Sequence, residues 1–148
     1  MKKREFLYIC SAAVFLILSF PNCNQSYFVW IALVPLLSAT EGKTVYRCFI
    51  NGWFCGCLFY IGLIYWIVKV TTTYGGLPYP LGIAVMLLLA SYLSCYFGFS
   101  LALTRFIEEK TKFASYSILP FVWVTMEYIR SFAFSGFPWE NLGYALYQ

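Results

Sequence analysis

Leu81-Gly82-Ile83-Ala84-Val85-Met86-Leu87-Leu88-Leu89-Ala90-Ser91-Tyr92-Leu93-Ser94-Cys95-Tyr96-Phe97-Gly98-Phe99-Ser100-Leu101-Ala102-Leu103 carries no charged residue over its whole length. At 1.5 Å per residue a helix over 81–103 is about 34 Å long, enough to cross a hydrocarbon core of roughly 30 Å. Upstream, the run 49–68 is long enough as well. Three further apolar runs, 6–20, 27–39 and 116–134, flank this pair. The composition agrees: 61% hydrophobic, 22% aromatic and 11% charged, with a mean hydropathy of +0.73. Soluble domains hold roughly 45–50% apolar and about 25% charged residues. The fold expectation is all-α, a polytopic membrane helix bundle of about five transmembrane or partly inserted helices. Residues 1–148 form a single membrane domain, with no stretch left over for a separate aqueous core.

The two N-terminal runs are short, at roughly 20–22 Å of helix each. Joined by Pro21-Asn22-Cys23-Asn24-Gln25-Ser26, they read as a thin hairpin, and Pro35 within the second bends it or keeps it shallow. Met1-Lys2-Lys3-Arg4 before the first run resembles the start of a cleaved signal peptide. Pro21-Asn22-Cys23 lacks the small residues of a cleavage site, so the segment is read as an uncleaved first span. In the third run Gly52 and Gly56 stand four apart on one side. They either admit a neighbouring backbone closely or reflect the general frequency of glycine in membrane helices.

The formal net charge is +4, but the ten basic residues are scattered between apolar runs and form no face or arm suited to nucleic acid. They act instead as topology signals. Lys2, Lys3, Arg4, Lys43, Arg47, Arg105, Lys110 and Lys112 fall on one side, and Lys69 and Arg130 approach the other. The positive-inside rule makes the N-terminus and the connections near 40–47 and 104–115 cytoplasmic. Residues 21–26, 71–80 and 135–148 then lie outside.

Histidine is absent, which removes the commonest general base near neutral pH and the commonest metal ligand. The cysteines, Cys10, Cys23, Cys48, Cys55, Cys57 and Cys95, lie in or beside apolar runs and read as packing residues. Cys55 and Cys57, two apart, point to different helix faces and make no metal clamp. No cofactor or metal is implied.

In the fifth run Trp123, Glu127, Arg130 and Phe134 are spaced by four, three and four, so they share one helical face. Two charges inside an apolar run favour a face turned into the bundle, where they can pair with each other. Beyond it comes Gly136-Phe137-Pro138-Trp139-Glu140-Asn141-Leu142-Gly143-Tyr144. With Tyr74 and Tyr79 of the connection 71–80, its rings suit the water–lipid boundary, either as an ordinary aromatic belt or as a surface for lipid.

Taken in order, several stretches are similar to a known family. They are Phe20-Pro21, Leu33-Val34-Pro35-Leu36-Leu37, Gly62-Leu63-Ile64-Tyr65-Trp66-Ile67, Gly75-Gly76-Leu77-Pro78, Trp123 to Arg130, Gly136-Phe137-Pro138-Trp139 and Leu142-Gly143-Tyr144. This order resembles the membrane half of bacterial apolipoprotein N-acyltransferases. The resemblance implies a multi-pass protein of the bacterial inner membrane, with a cytoplasmic N-terminus and a periplasmic C-terminal segment. The implied activity moves an acyl chain from a phospholipid donor to the N-terminal amine of an apolipoprotein's diacylglyceryl-cysteine, through a thioester. In the family a nitrilase-like domain supplies the catalytic Glu, Lys and Cys, and none of these can be placed on these 148 residues. Cys23, flanked by Asn22 and Asn24, is not the nucleophile. The chain alone is therefore expected to be inactive and incomplete relative to the family, a truncated product or one partnered by a separately encoded catalytic portion.

What carries over residue by residue is a lipid rim at Phe137, Pro138, Trp139, Gly143 and Tyr144, with Glu127 and Arg130 beneath it as a structural charged pair or, alternatively, in direct contact with a substrate headgroup. The alternative is a non-enzymatic small membrane module, a transporter subunit or an assembly factor, in which the two charges serve a polar pathway.

Overall fold

The computed structural model describes residues 3–20, 23, 25–133 and 141–146. Among them the fold is all-helical. Six α-helices run in chain order: α1 Lys3–Ser19, α2 Val29–Thr40, α3 Val45–Ile64, α4 Trp66–Thr73, α5 Tyr79–Thr111 and α6 Ser115–Phe132. Tight 3-10 turns at Ser26–Phe28 and Leu142–Leu146 lead into α2 and follow α6.

Local chemistry sets several of these limits. Thr44 caps α3 by accepting from Arg47 N at 3.4 Å. Gly42, with φ at +65°, makes the left-handed turn before it. α4 ends in a turn where Tyr74 N and Gly75 N both donate to Val70 O, and Gly76 takes φ +65°. α5 starts on Pro78, with Pro80 in its first turn, where a missing N–H costs nothing.

The closest packing is between α3 and α5. A Cβ on Gly52 would lie 2.7 Å from Phe97 O and 3.0 Å from Gly98 Cα, and one on Gly56 would lie 2.9 Å from Ser94 Cα. The glycine spacing therefore does admit a neighbouring backbone. Trp53 Nε1 donates to Ser91 O across the same seam at 3.2 Å. The buried hydroxyls of Ser94, Ser100 and Thr104 donate to carbonyls one turn back, so they are satisfied without water. A chain of rings ties the other helices in: Phe20 to Phe59 at 5.2 Å, Phe59 to Phe97 at 5.6 Å, and Phe97 to Trp123 at 4.6 Å between centroids. It joins the end of α1 to α3, α5 and α6.

Two expectations are refined. The run 49–68 is not one helix: α3 ends at Ile64 and α4 begins at Trp66. At the junction Val68 N donates to Tyr65 O, three residues back, a tighter step than the α-helical ladder. The second concerns the number of spans. Among the described residues two helices, α3 and α5, are long and apolar enough to cross a membrane. α1 has 17 residues and α2 has 12, while α6 has 18 but carries Glu127 and Arg130. The all-α class thus stands, and a bundle of about five spans goes beyond it.

Candidate functional site

α6 places Trp123, Glu127 and Arg130 on one side, and all three face the bundle to different degrees. Trp123 and Arg130 are buried, and Glu127 is half-buried. The two charges form no ion pair with one another. Glu127 Oε1 accepts from Trp123 Nε1 at 3.1 Å and from the backbone N of Leu142 at 2.7 Å. Arg130 donates to Tyr60 Oη on α3 and to Asn141 Oδ1. Through Leu142 and Tyr60 these two side chains fasten the Leu142–Leu146 turn to α6 and α6 to α3. In surroundings this apolar such bonds matter, because an unsatisfied charge there costs several kcal/mol, on the order of the desolvation penalty of one ion.

Above Glu127 the turn bridges toward α2. Between α2 and α6 it leaves an open, almost wholly apolar groove of about 490 Å³. Val29, Trp30, Leu33, Val34 and Leu37 form the α2 wall, and Tyr116, Leu119, Pro120, Trp123 and Val124 form the α6 wall. Leu142, Gly143 and Leu146 close one end, and Glu127 lies at that same end. Both prolines of these helices belong to this region. Pro120 lines the groove, and Pro35 sits in α2 among the lining residues.

Of the rim residues named from sequence, Phe137, Pro138 and Trp139 lie outside the described residues, as does Phe134. Gly143 lines the groove, with open space where a Cβ would be. Tyr144, half exposed, stands in the same turn without lining it. Cys23 is exposed between α1 and α2. No sequence signal pointed to Tyr60, and the quoted stretches holding Asn141 and Leu33–Leu37 gave no sign of the contacts they make. Tyr60 is 70 positions from the arginine it serves, beyond any local spacing.

A second polar cluster also escaped the sequence reading. Glu5 in α1 is buried, accepts from Asn51 Nδ2 at 3.0 Å and lies 3.5 Å from Lys43 Nζ. The same Asn51 amide donates to Ala39 O at 3.0 Å. Three elements meet on this one carboxylate, at the opposite end of the bundle from the Leu142–Leu146 turn. No group of three or more His, Cys, Asp or Glu residues is arranged to hold a metal among the described residues.

Residues 12–148 match the family described as the apolipoprotein N-acyltransferase N-terminal domain. An apolipoprotein N-acyltransferase of Geobacter metallireducens is 40% identical over 146 residues, covering 99% of this chain and 28% of that protein. One from Wigglesworthia glossinidia brevipalpis is 32% identical over 111 residues, 74% of this chain and 22% of its own length. One from Pasteurella multocida is 25% identical over 150 residues, 98% of this chain and 28% of its own length. The chain thus spans about a quarter of the length of these relatives.

Proposed function

The chain belongs to the apolipoprotein N-acyltransferase N-terminal domain family, and from that premise we propose that it is the membrane part of an enzyme that acylates lipoproteins. The reaction takes an acyl chain from a phospholipid and delivers it to the N-terminal amine of a diacylglyceryl-cysteine on an apolipoprotein. The observation that carries this reading is the match along nearly the whole chain to the Geobacter enzyme. The apolar groove, closed by the turn that follows α6 and lined there by Gly143, supports it by offering a lipid-sized surface. The charge asymmetry supports an inner-membrane protein with its N-terminus in the cytoplasm and the Leu142–Leu146 turn on the periplasmic side.

On this reading the 148 residues position and do not react. The buried Cys48 and Cys55 are closed to a substrate, and exposed Cys23 has no Glu or Lys beside it in the sequence to act as base or oxyanion stabiliser. Nucleophile, base and oxyanion stabiliser come from a catalytic portion of the kind the longer relatives contain.

The test exchanges parts. Replacing the matching quarter of the Geobacter enzyme with this chain should restore N-terminal acylation of lipoproteins in cells depleted of their own enzyme, read by mass spectrometry of the lipopeptides. A chimera that reaches the membrane and leaves the amine free would overturn the reading. The purified chain alone, given radiolabelled phospholipid, should form no hydroxylamine-sensitive adduct.

A further inference from the structure

α5 carries a second seam besides the one it shares with α3. Its buried face, which includes Ala90, Ser94, Phe97, Gly98 and Leu101, is the one pressed on α3. On the far side, alternating steps of four and three lead from Leu81 through Val85, Leu88, Tyr92 and Cys95 to Phe99, and on past Ala102 to Phe106. Tyr92, Cys95 and Ala102 are half-buried and the others exposed. This is the 3.5-residue repeat along which one helix follows another. From Leu81 to Phe106 it runs about 38 Å, long enough to face a partner through a whole hydrocarbon core of ~30 Å.

The middle of the seam is built for protein rather than for acyl chains. There it deepens into a groove of about 610 Å³, where Met126 and Ile129 of α6 stand beside Tyr92, Tyr96 and Phe99. The hydroxyls of Tyr92 and Tyr96 share a hydrogen bond of 2.8 Å. Tyr92 is the midpoint of the uncharged stretch 81–103. Tyrosine ordinarily sits at the water boundary, and polar groups placed halfway across a span are turned toward protein. Cys95 and Ala102 are small, so a neighbouring backbone can approach there, as α5 itself approaches Gly52 and Gly56 on its other face. A hydrocarbon tail gains nothing from a hydroxyl pair, whereas a helix can bond to it through a Ser, Thr, Asn or Gln side chain.

We propose that the open seam of α5 is a docking face for one further membrane-spanning helix, which packs into the α5–α6 groove and hydrogen-bonds to the Tyr92–Tyr96 pair at mid-depth. The helix comes from the portion of the longer relatives that this chain does not match: the chain covers 28% of the Geobacter protein, so most of that protein lies outside the match. The inference rests on the reading of this chain as the membrane part of a longer protein of its family, and it does not depend on the acylation step. A second copy of the chain and a layer of lipid are the competing occupants.

Photo-cross-linking in the chimera of this chain with the remainder of the Geobacter enzyme tests it. A benzophenone-bearing phenylalanine is placed at Leu88 or at Phe106, which are 74% and 48% exposed, and the adducts are mapped by peptide mass spectrometry. Both probes should capture one and the same apolar segment of the remainder, at points roughly eighteen residues apart, the separation of the probes themselves along α5. Ala102→Trp, which fills the groove, should lower both yields severalfold and leave the thermal unfolding of the chain alone unchanged. Adducts with phospholipid only, with α5 of a second copy, or with two unrelated segments overturn the proposal, as do unchanged yields in Ala102→Trp. Acylation by the same chimera is a separate readout. An active chimera without the paired adducts overturns the seam and leaves the enzyme reading standing, whereas an inactive chimera that carries them does the reverse.

Discussion

Arg130 joins α6 to two segments far away in sequence, Tyr60 on α3 and Asn141 ahead of the final turn. Replacing it with Met keeps most of the packing volume and removes every donor. The expected loss is about 1.5–3 kcal/mol, the worth of hydrogen bonds to a charged group, against about 1 kcal/mol for Tyr60→Phe. Thermal unfolding in detergent, followed by helical circular dichroism, checks both. If Tyr60→Phe costs as much as Arg130→Met, the contacts to Asn141 contribute nothing and the turn is held otherwise. At this scale the sequence showed that Trp123, Glu127 and Arg130 share a helical face, because 3.6-residue periodicity is local. It could not show where the polar ends reach. Tyr60 and Leu142 become neighbours only through the path of the chain, and a buried Glu5 satisfied by Asn51 is equally invisible to spacing.

Helix pairs depend on what their small residues permit. Gly52→Ala sets a methyl 2.7 Å from a backbone oxygen that cannot move away as a side-chain tip would. The α3–α5 seam must open, at an expected cost of about 1–3 kcal/mol, and Gly52→Leu should abolish folded yield in size-exclusion chromatography. Gly143→Ala, with nothing within 4 Å, is the matching control and should stay within about 0.5 kcal/mol of the unaltered chain. Wild-type stability in Gly52→Leu would refute the close α3–α5 approach. The spacing of Gly52 and Gly56 was readable, but its meaning was open until Ser94 and Gly98, also four apart, appeared opposite on α5. The break between α3 and α4 was not readable. No proline or glycine occupies 63–67, and the two helices continue a single apolar run.

For the whole molecule the decisive quantity is orientation. With a cytoplasmic N-terminus, exposed Cys23 between α1 and α2 faces outward, whereas Lys112→Cys, placed between α5 and α6, faces inward. A membrane-impermeant maleimide applied to spheroplasts should label the first, and the second only after permeabilisation. The reverse pattern would invert the topology and with it the side assigned to the Leu142–Leu146 turn. Buried Cys48 and Cys55 should remain unlabelled throughout. Helical class and family were legible because apolar run length and motif order survive in one dimension. The α2–α6 groove was not, since its walls are some ninety residues apart and meet only through the path of the chain. One side of the groove is a 12-residue helix. Its axis is only about 18 Å long, well short of a ~30 Å core. On the proposed membrane placement, lipids beside α2 would tilt, compress or draw their headgroups inward to meet it, at a cost of fractions of a kcal/mol per Å of mismatch. On the proposed membrane placement the bilayer would be elastically strained next to the groove, and a lipid there would start from a position already partly raised.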